Sequence, residues 1–270
     1  MTGRFSLAGE IAVVTGALGR LGPIWAEALI EAGATVAALD RPDARSSPAF
    51  TELSGRVEAG RLRRFDADIT DRASIDAVRD EIVERLGTPS ILVNNAGIDQ
   101  PPDSATDRFH IEDMPIDLFR RMVEVNLLGT FQMIQSFGAL MINRRRGAIV
   151  NIGSLYASVS PDQRFYNHFD GEPPFLKVPA YGASKAAVVN MTKYFATLWG
   201  PYDVRVNVLS PGGVLGSQDP DFRRKYSDRV PLGRMAGEVD LKGPLVFLAS
   251  SASSYVTGHE LRVDGGFTAW

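Results

Sequence analysis

The sequence predicts an α/β protein: one doubly wound domain, with a mostly parallel seven-stranded sheet and helices on both faces. Three observations carry this. Short β-branched runs alternate with helix-period segments along all 270 residues, the pattern of a parallel sheet with right-handed crossovers. The runs near 11, 35, 90 and 148 are almost wholly apolar, as strands covered on both faces must be. No repeat, low-complexity tract or linker divides the chain, so residues 1–270 read as a single domain.

In order, the strand candidates are "IAVVT" (11–15), "TVAAL" (35–39), "RLRRFDA" (61–67), "SILVNN" (90–95), "AIVNIG" (148–153), "VRVNVLS" (204–210) and "HELRVD" (259–264). Helical patterns fill the intervals at 21–32, 71–86, 115–144, 180–199 and 238–250. Apolar residues make up 44% and charged residues 23%, ordinary for a globular chain able to bury its own core.

Composition also excludes functions. With no cysteine there is no disulfide, thiolate metal site or cysteine nucleophile. The three histidines, His110, His168 and His259, have no metal-ligand spacing, so no metal is expected. A net charge of −3 fails the basic-footprint test for nucleic acid, and Arg144-Arg145-Arg146 before Gly147 reads as a solvated helix end. The start, "MTGRFSLAGE", lacks a signal-peptide core, and no apolar run reaches membrane-span length. A soluble cytoplasmic protein is expected.

After the first strand comes "TGALGRLG" (15–22), followed by a helix beginning near Leu21. Gly16, Gly19 and Gly22 permit a tight turn, close backbone approach to a pyrophosphate and close helix–strand packing. Arg20 and Leu21 then stand where a helix N-terminus offers donors to phosphate. The second strand ends in Asp40, eighteen residues after Gly22. A carboxylate there can accept both ribose hydroxyls of an adenosine and repel a 2′-phosphate, favouring NAD. Arg20 and Arg41 lie close enough to compensate a phosphate, so NADP stays open. The bland alternative is a tight βα turn and a strand-end aspartate.

"YGASK" sets Tyr181 and Lys185 four apart on one helical face. A free phenol titrates near 10. A neighbouring ammonium, together with an oxidised nicotinamide, is expected to lower that value and let Tyr181 exchange a proton with a substrate oxygen near neutral pH. "NIGSL" places Ser154 where the fifth strand ends, at the sheet edge where open α/β folds bind ligands. A strand-end cap is the alternative for Ser154.

With these residues in place the chain resembles the short-chain dehydrogenase/reductase family, in its compact Rossmann form. The likeness runs from "VVTGALGRLG" through "NNAG" (94–97), "VNLLGTF" (125–131), "IVNIGS" (149–154), "YGASKAA" (181–187), "RVNVLSPGG" (205–213) and "VTGHELRVDGG" (256–266). It implies a catalytic set of Ser154, Tyr181 and Lys185, with Asn126 anchoring a water relay to Lys185. It also implies that Asp68 and Ile69 flank the adenine, that Asn95, Ala96 and Gly97 line the cofactor ribose, and that Pro211, Gly212 and Val214 lie beside the nicotinamide. Lys185 holds the nicotinamide ribose in such enzymes, and a homotetramer is the implied assembly.

Two positions depart from the compact pattern. Arg20 replaces its second glycine, so "TGALGRLG" reads as the turn of the extended branch that acts on nucleotide sugars. Gly216 then stands where threonine is frequent, with Ser217 as a substitute contact. A third difference is length. Ser154 and Tyr181 are twenty-seven residues apart, more than the compact branch usually has, which defines an insertion at about 157–179. It holds "FYNHFDGEPPF" (165–175) and must begin and end at the substrate mouth. Tyr156, Phe165, His168 and Asp170 are the substrate-contact candidates, with Glu172 beside them. Rings packed among themselves in a surface or subunit-contact loop are the alternative. A second lid is expected at about 213–235, where Arg223, Arg224, Arg229 and Arg234 can meet an anionic substrate or simply be solvated. The insertion, "SPGGVLGSQDPDF", "YSDRVPLGRM" and "DGGFTAW" are similar to oxidoreductases of bacterial flagellin-modification and sialic-acid-like sugar gene clusters.

These readings converge on an NAD(P)-dependent oxidoreductase that interconverts a secondary alcohol and a ketone on a sugar, amino-sugar or polyol-like small molecule. A nucleotide-sugar epimerase or dehydratase and a non-catalytic dinucleotide sensor are the competing readings.

Overall fold

Seven strands pair in parallel in the order β3-β2-β1-β4-β5-β6-β7: β1 (Ile11–Thr15), β2 (Thr35–Asp40), β3 (Leu62–Asp66), β4 (Ile91–Asn94), β5 (Gly147–Ile152), β6 (Val204–Pro211) and β7 (Glu260–Val263). The computed structural model describes residues 3–100 and 108–270; Met1 and Thr2, which open the N-terminal stretch read above, and residues 101–107 lie outside it. All seven strand candidates form close to their expected bounds. The four apolar runs become the buried centre of the sheet, while the charged β3 and β7 take its edges, where charge discourages pairing with another chain.

The helices are α1 (Gly22–Glu31), α2 (Pro48–Arg56), α3 (Arg72–Leu86), α4 (Ile116–Val123), α5 (Thr130–Arg144), α6 (Pro179–Trp199), α7 (Pro220–Arg229) and α8 (Glu238–Ala249). Two of them, α2 and α7, escape a reading by hydrophobic period because each buries only two side chains, Phe50 and Leu53 or Phe222 and Tyr226. Local chemistry starts them instead. Ser47 Oγ accepts from Phe50 N at 3.3 Å and Asp219 Oδ1 from Phe222 N at 2.9 Å, each with proline in the first turn.

The single helix expected over 115–144 is interrupted by a π-helical turn, Glu124–Gly129, between α4 and α5. Asn126 lies in this turn, and its carbonyl accepts from Thr130 Oγ1 at 2.9 Å. Such turns mark functional sites more often than chance. Among the described residues the stretch 116–144 alone is long and apolar enough to cross a membrane, and half of its most apolar window is buried in the protein.

Two cores sandwich the sheet. One joins Ala12, Val14, Val36, Val93 and Val150 to Trp25 and Leu29 of α1 and to Leu241 and Leu245 of α8. The other joins Val13, Leu39, Leu92 and Ile149 to α3, α5 and α6 through Ile75, Met133, Phe137, Phe195 and Trp199. The alternation of neighbours between faces, Val13 against Val14, follows from the two-residue strand period.

A third core lies apart from these, over the carboxyl edge of β5 and β6. It unites Leu155, Phe165, Tyr166 and Phe175 with Phe222, Tyr226 and Val230 around α7, and with Met235 and Phe267 near the C-terminus. Phe165 is its hub, with ring centroids 6.1 Å from Phe222, 5.8 Å from Tyr226 and 6.2 Å from Phe267. The insertion and the second lid are therefore one packed cap. Phe165→Ala is expected to cost about 3 kcal/mol and lower the thermal midpoint, whereas Tyr255→Ala, at a fully exposed ring, leaves it unchanged.

Candidate active site

The order of the sheet reverses direction between β1 and β4, and the crevice at their carboxyl ends is where open α/β sheets hold ligands. A cleft of about 690 Å³ occupies that place, within the range of small-molecule and cofactor sites. Its wall is built by turns, so the strands fix it and the loops shape it.

At its floor, Gly16 adopts φ +62°, and a Cβ there would come within 2.7 Å of Ala96 Cα. Only glycine allows the β1 and β4 turns to approach so closely. A hydrogen-bonded node locks them together. Thr15 Oγ1 accepts from Asn95 N and Ala96 N, both at 3.0 Å. Asn95 Nδ2 donates to Thr15 O at 2.9 Å and Gly16 O at 3.0 Å, and Trp25 Nε1 of α1 donates to Asn95 Oδ1 at 2.8 Å. The Asn95 side chain thus supports the cleft from behind, while its backbone lines it with Ala96 and Gly97.

Gly16, Gly19, Arg20 and Leu21 line the cleft where α1 begins, and Asp40, Asp68 and Ile69 line it beyond. Asp40 Oδ2 accepts from Leu18 N and Oδ1 from Arg41 N, each at 2.9 Å, which braces the glycine turn and leaves further lone pairs facing the cleft. Asp68 Oδ1 accepts from Thr70 N at 2.8 Å and from Thr70 Oγ1 at 2.7 Å, and these bonds, led by the backbone one, hold the carboxyl below its usual range. Arg20 reaches across to the loop after β6. Its Nη2 donates to Val214 O at 2.5 Å, and burial depresses its pKa. Arg41 faces Asp43 at 3.4 Å. These residues fit a dinucleotide: a turn without Cβ, a helix N-terminus and a ribose-facing carboxylate lie in line along one cleft.

The other end of the cleft gathers Ser154, Tyr181, Lys185, Pro211, Gly212 and Val214. Ser154 is extended, at φ −166°, and its Oγ accepts from Tyr156 N at 3.2 Å and bonds the Tyr181 hydroxyl. Lys185 Nζ donates to Ile152 O at 2.7 Å and lies 5.9 Å from the Tyr181 ring centroid. Asn126 is buried rather than cleft-lining. Its Oδ1 accepts from Ile98 N at 2.7 Å, and its Nδ2 donates to Ile98 O at 3.0 Å and Ser184 Oγ at 3.2 Å.

The expected lowering of the Tyr181 pKa joins Lys185 with an oxidised nicotinamide; the protein groups alone act in the other direction. Burial is the largest influence on Tyr181 and pushes the phenol up; the Asp99 charge adds to this and the Ser154 hydrogen bond opposes it. Lys185 is itself brought down to about 8 by burial, with Asp99 opposing. In the free chain Tyr181 is therefore a neutral proton donor.

None of the four proposed substrate contacts lines the cleft. Phe165 is withdrawn into the cap core because its ring buries more apolar surface there than at the mouth. His168 ties the insertion to α7, with Nε2 2.9 Å from Asp219 Oδ1 and Nδ1 3.0 Å from Lys225 Nζ. Asp170 is exposed, and its carbonyl accepts from Arg108 Nη1 at 2.6 Å. Tyr156 packs edge-on to Tyr181 at 6.5 Å and hydrogen-bonds Tyr166, so it buttresses the reactive ring from outside the cleft. Glu172 faces His110 at 3.2 Å.

The lid arginines do not wait for an anion. Arg223 Nη2 donates to Gly216 O at 2.5 Å, Arg224 pairs with Asp221 at 3.4 Å, Arg229 stacks over Phe267 at 5.7 Å, and Arg234 grips Asp240 at 2.6 and 3.0 Å. Ser217 is exposed and outside the cleft lining; Gln218 holds this turn instead, through Gly216 N and Val214 O. Sequence reasoning missed Ile98, Asp99 and Lys177. Asp99 follows "NNAGI" directly, a signal that was present, but nothing in the sequence pairs it with Lys177.

Comparison with known proteins agrees with this geometry. A family model described as enoyl-(acyl carrier protein) reductase matches residues 16–268. The galactitol 2-dehydrogenase of Rhizobium johnstonii is 34% identical, over 99% of this chain and 98% of its own. Among solved structures, a gluconate 5-dehydrogenase from Burkholderia cenocepacia in complex with NADP and tartrate superposes with a TM-score of 0.83 at 31% identity, covering 99% of this chain and 98% of the other. A short-chain dehydrogenase from Leptospira borgpetersenii with bound NAD+ also gives 0.83, at 33% identity, covering 97% and 94%. Such a match along nearly the whole chain, on this sheet order and this cleft, means that the protein belongs to the short-chain dehydrogenase/reductase family.

Proposed function

We propose that the protein is an NAD(P)-dependent oxidoreductase that interconverts a secondary alcohol and a ketone on a polyol or sugar-like molecule. The observation that carries this is the meeting of Ser154, Tyr181 and Lys185 at one end of a cleft whose other end is the glycine turn and Asp40. The galactitol-acting relative and the gluconate-acting neighbour support the polyhydroxylated substrate class.

In this reading Gly16 to Leu21 and the α1 N-terminus hold the cofactor phosphates, Asp40 the adenosine ribose, Asp68 and Ile69 the adenine, and Pro211 to Val214 the nicotinamide side. The bound nicotinamide supplies hydride chemistry and, when oxidised, a positive charge. Tyr181 carries the proton at the substrate oxygen. It starts as a neutral phenol suited to donating, and serves as a base once positive charge stands beside it. Ser154 fixes that oxygen through the hydroxyl it already shares with Tyr181. Lys185, titrating at about 8, passes the proton onward, and Asn126 in the π turn positions the Lys185 surroundings through Ile98 and Ser184. Tyr181→Phe is expected to reduce turnover about a thousandfold while NADH binding, followed by fluorescence, is retained. Unchanged turnover overturns the assignment.

NAD is the preferred cofactor in this reading, because Arg20 is engaged with Val214 and the Asp40 carboxylate faces the ribose end. Asp40→Ser is expected to raise the NADPH-to-NADH ratio of kcat/KM about tenfold, by removing a charge that repels a 2′-phosphate. A constant ratio rejects this role for Asp40.

We also infer a homotetramer, as the family resemblance implies. Leu128 before α5 and Tyr194 and Leu198 on α6 are exposed at 42%, 64% and 48%, apolar surface of the kind that subunit contacts cover. Sedimentation velocity is expected to give the mass of four chains; a monomer at micromolar concentration contradicts it.

A further inference from the structure

Beside the reactive tyrosine lies an ion pair that the roles above do not use. Lys177, from the end of the insertion, is buried to 8% residual exposure, and its Nζ donates to Asp99 Oδ2 at 2.5 Å and to Gln100 O at 2.8 Å. The same ammonium lies 5.7 Å from the centroid of the Tyr181 ring. Asp99 Oδ1 accepts from Gln100 N at 2.8 Å. Unlike its partner, Asp99 keeps 40% of its side chain exposed and forms part of the cleft wall after Gly97 and Ile98. One member of the pair is thus sunk in the protein and the other opens on the cleft.

A buried ammonium without a counter-charge is strongly unfavourable, so Lys177 fixes where the Asp99 carboxylate must sit. The carboxylate in turn keeps lone pairs free toward the cleft, since a carboxylate offers about four acceptor sites and the protein fills only some of them. Its field reaches the reacting groups: the Asp99 charge bears on Tyr181, Lys185 and Tyr156. Three of the other cleft cations are engaged: Arg20 and Lys185 donate to the Val214 and Ile152 carbonyls, and Arg41 faces Asp43; Arg121 lines the cleft as an exposed guanidinium.

We propose that Asp99, pinned by Lys177, is the specificity residue of this site, accepting a hydrogen bond from a substrate hydroxyl near the reacting carbinol and selecting neutral polyols against aldonates. This rests on the oxidoreductase reading above and deepens it. A hydroxyl donates to the carboxylate and keeps the pair's charges balanced. A substrate carboxylate in the same place meets a like charge in a partly desolvated pocket and is rejected. The insertion thereby acquires a specific role, delivering the buried cation that holds this acceptor in position.

The test compares kcat/KM for galactitol and D-gluconate, with saturating NAD+, in the wild type, Asp99→Asn and the double variant Asp99→Asn/Lys177→Met. The wild type is expected to favour galactitol. Asp99→Asn frees the Lys177 charge, so the gluconate-to-galactitol ratio rises about tenfold. The double variant removes that charge and lowers the ratio below that of Asp99→Asn, while the loss of the repelling carboxylate keeps it above the wild-type value. Should Asp99→Asn not fold, as judged by thermal unfolding, Asp99→Ser with and without Lys177→Met serves the same comparison. A wild type that turns over galactitol while every variant keeps its ratio overturns this inference and leaves the oxidoreductase reading standing. A wild type that prefers gluconate overturns it likewise. A wild type that oxidises neither these nor any other polyol or aldonate overturns the reading and the inference together.

Discussion

The Thr15–Asn95–Trp25 node is the contact on which the site depends. A parallel sheet places every strand's carboxyl end on one edge, but edges alone do not make a cleft; two neighbouring turns must part in opposite directions and be held at their base. Here the base is a set of hydrogen bonds around one asparagine, closed by an indole from α1. Because Gly16 lacks a Cβ, the two turns touch at the floor, and all that lies above them is free to specialise. The glycine turn, Asp40, Gly97 and the Tyr181 end are each positioned relative to that floor.

Much of this was legible in the sequence because it is local. Strand period, buried β-branched runs and a glycine turn followed by a helix need no knowledge of distant partners, and the strands and the cleft-lining turn residues fall where the patterns place them. What escaped was non-local. The aromatic density of "FYNHFDGEPPF" suggested rings at a mouth, yet Phe165 meets Phe222, Tyr226 and Phe267, residues 57 or more positions away in the chain. Rings seek the largest burial available, and a second unpaired apolar cluster around α7 provided it. The lid arginines differ: Gly216 O, Asp221 and Asp240 lie within seven residues of their arginines and only Phe267 is distant, but which close neighbours meet is decided by the turn and by α7. Burial, which a motif does not encode, raises the Tyr181 pKa in the chain alone and lowers that of Lys185.

The cap changes how the long Ser154–Tyr181 interval is understood. It is a small aromatic core laid over the sheet edge, joined to α7 by His168 between Asp219 and Lys225. Its apolar interior makes the wall firm, and its link to the cleft comes from its last residues, where Lys177 pairs with the cleft-lining Asp99. Rigidity and selectivity are thereby assigned to different residues of one segment.

Arg20 extends this linkage to the cofactor side. Its guanidinium spans from the glycine turn to Val214 O, and the place it occupies is the space a Cβ on Gly216 would fill. Both loops border one cleft, and the arginine of the first lies in the space left by the bare backbone of the second. A side chain at position 216 would displace the flexible end of Arg20 and with it the hydrogen bond to Val214 O. The two departures from the family pattern, which look separate along the chain, meet at one contact in space.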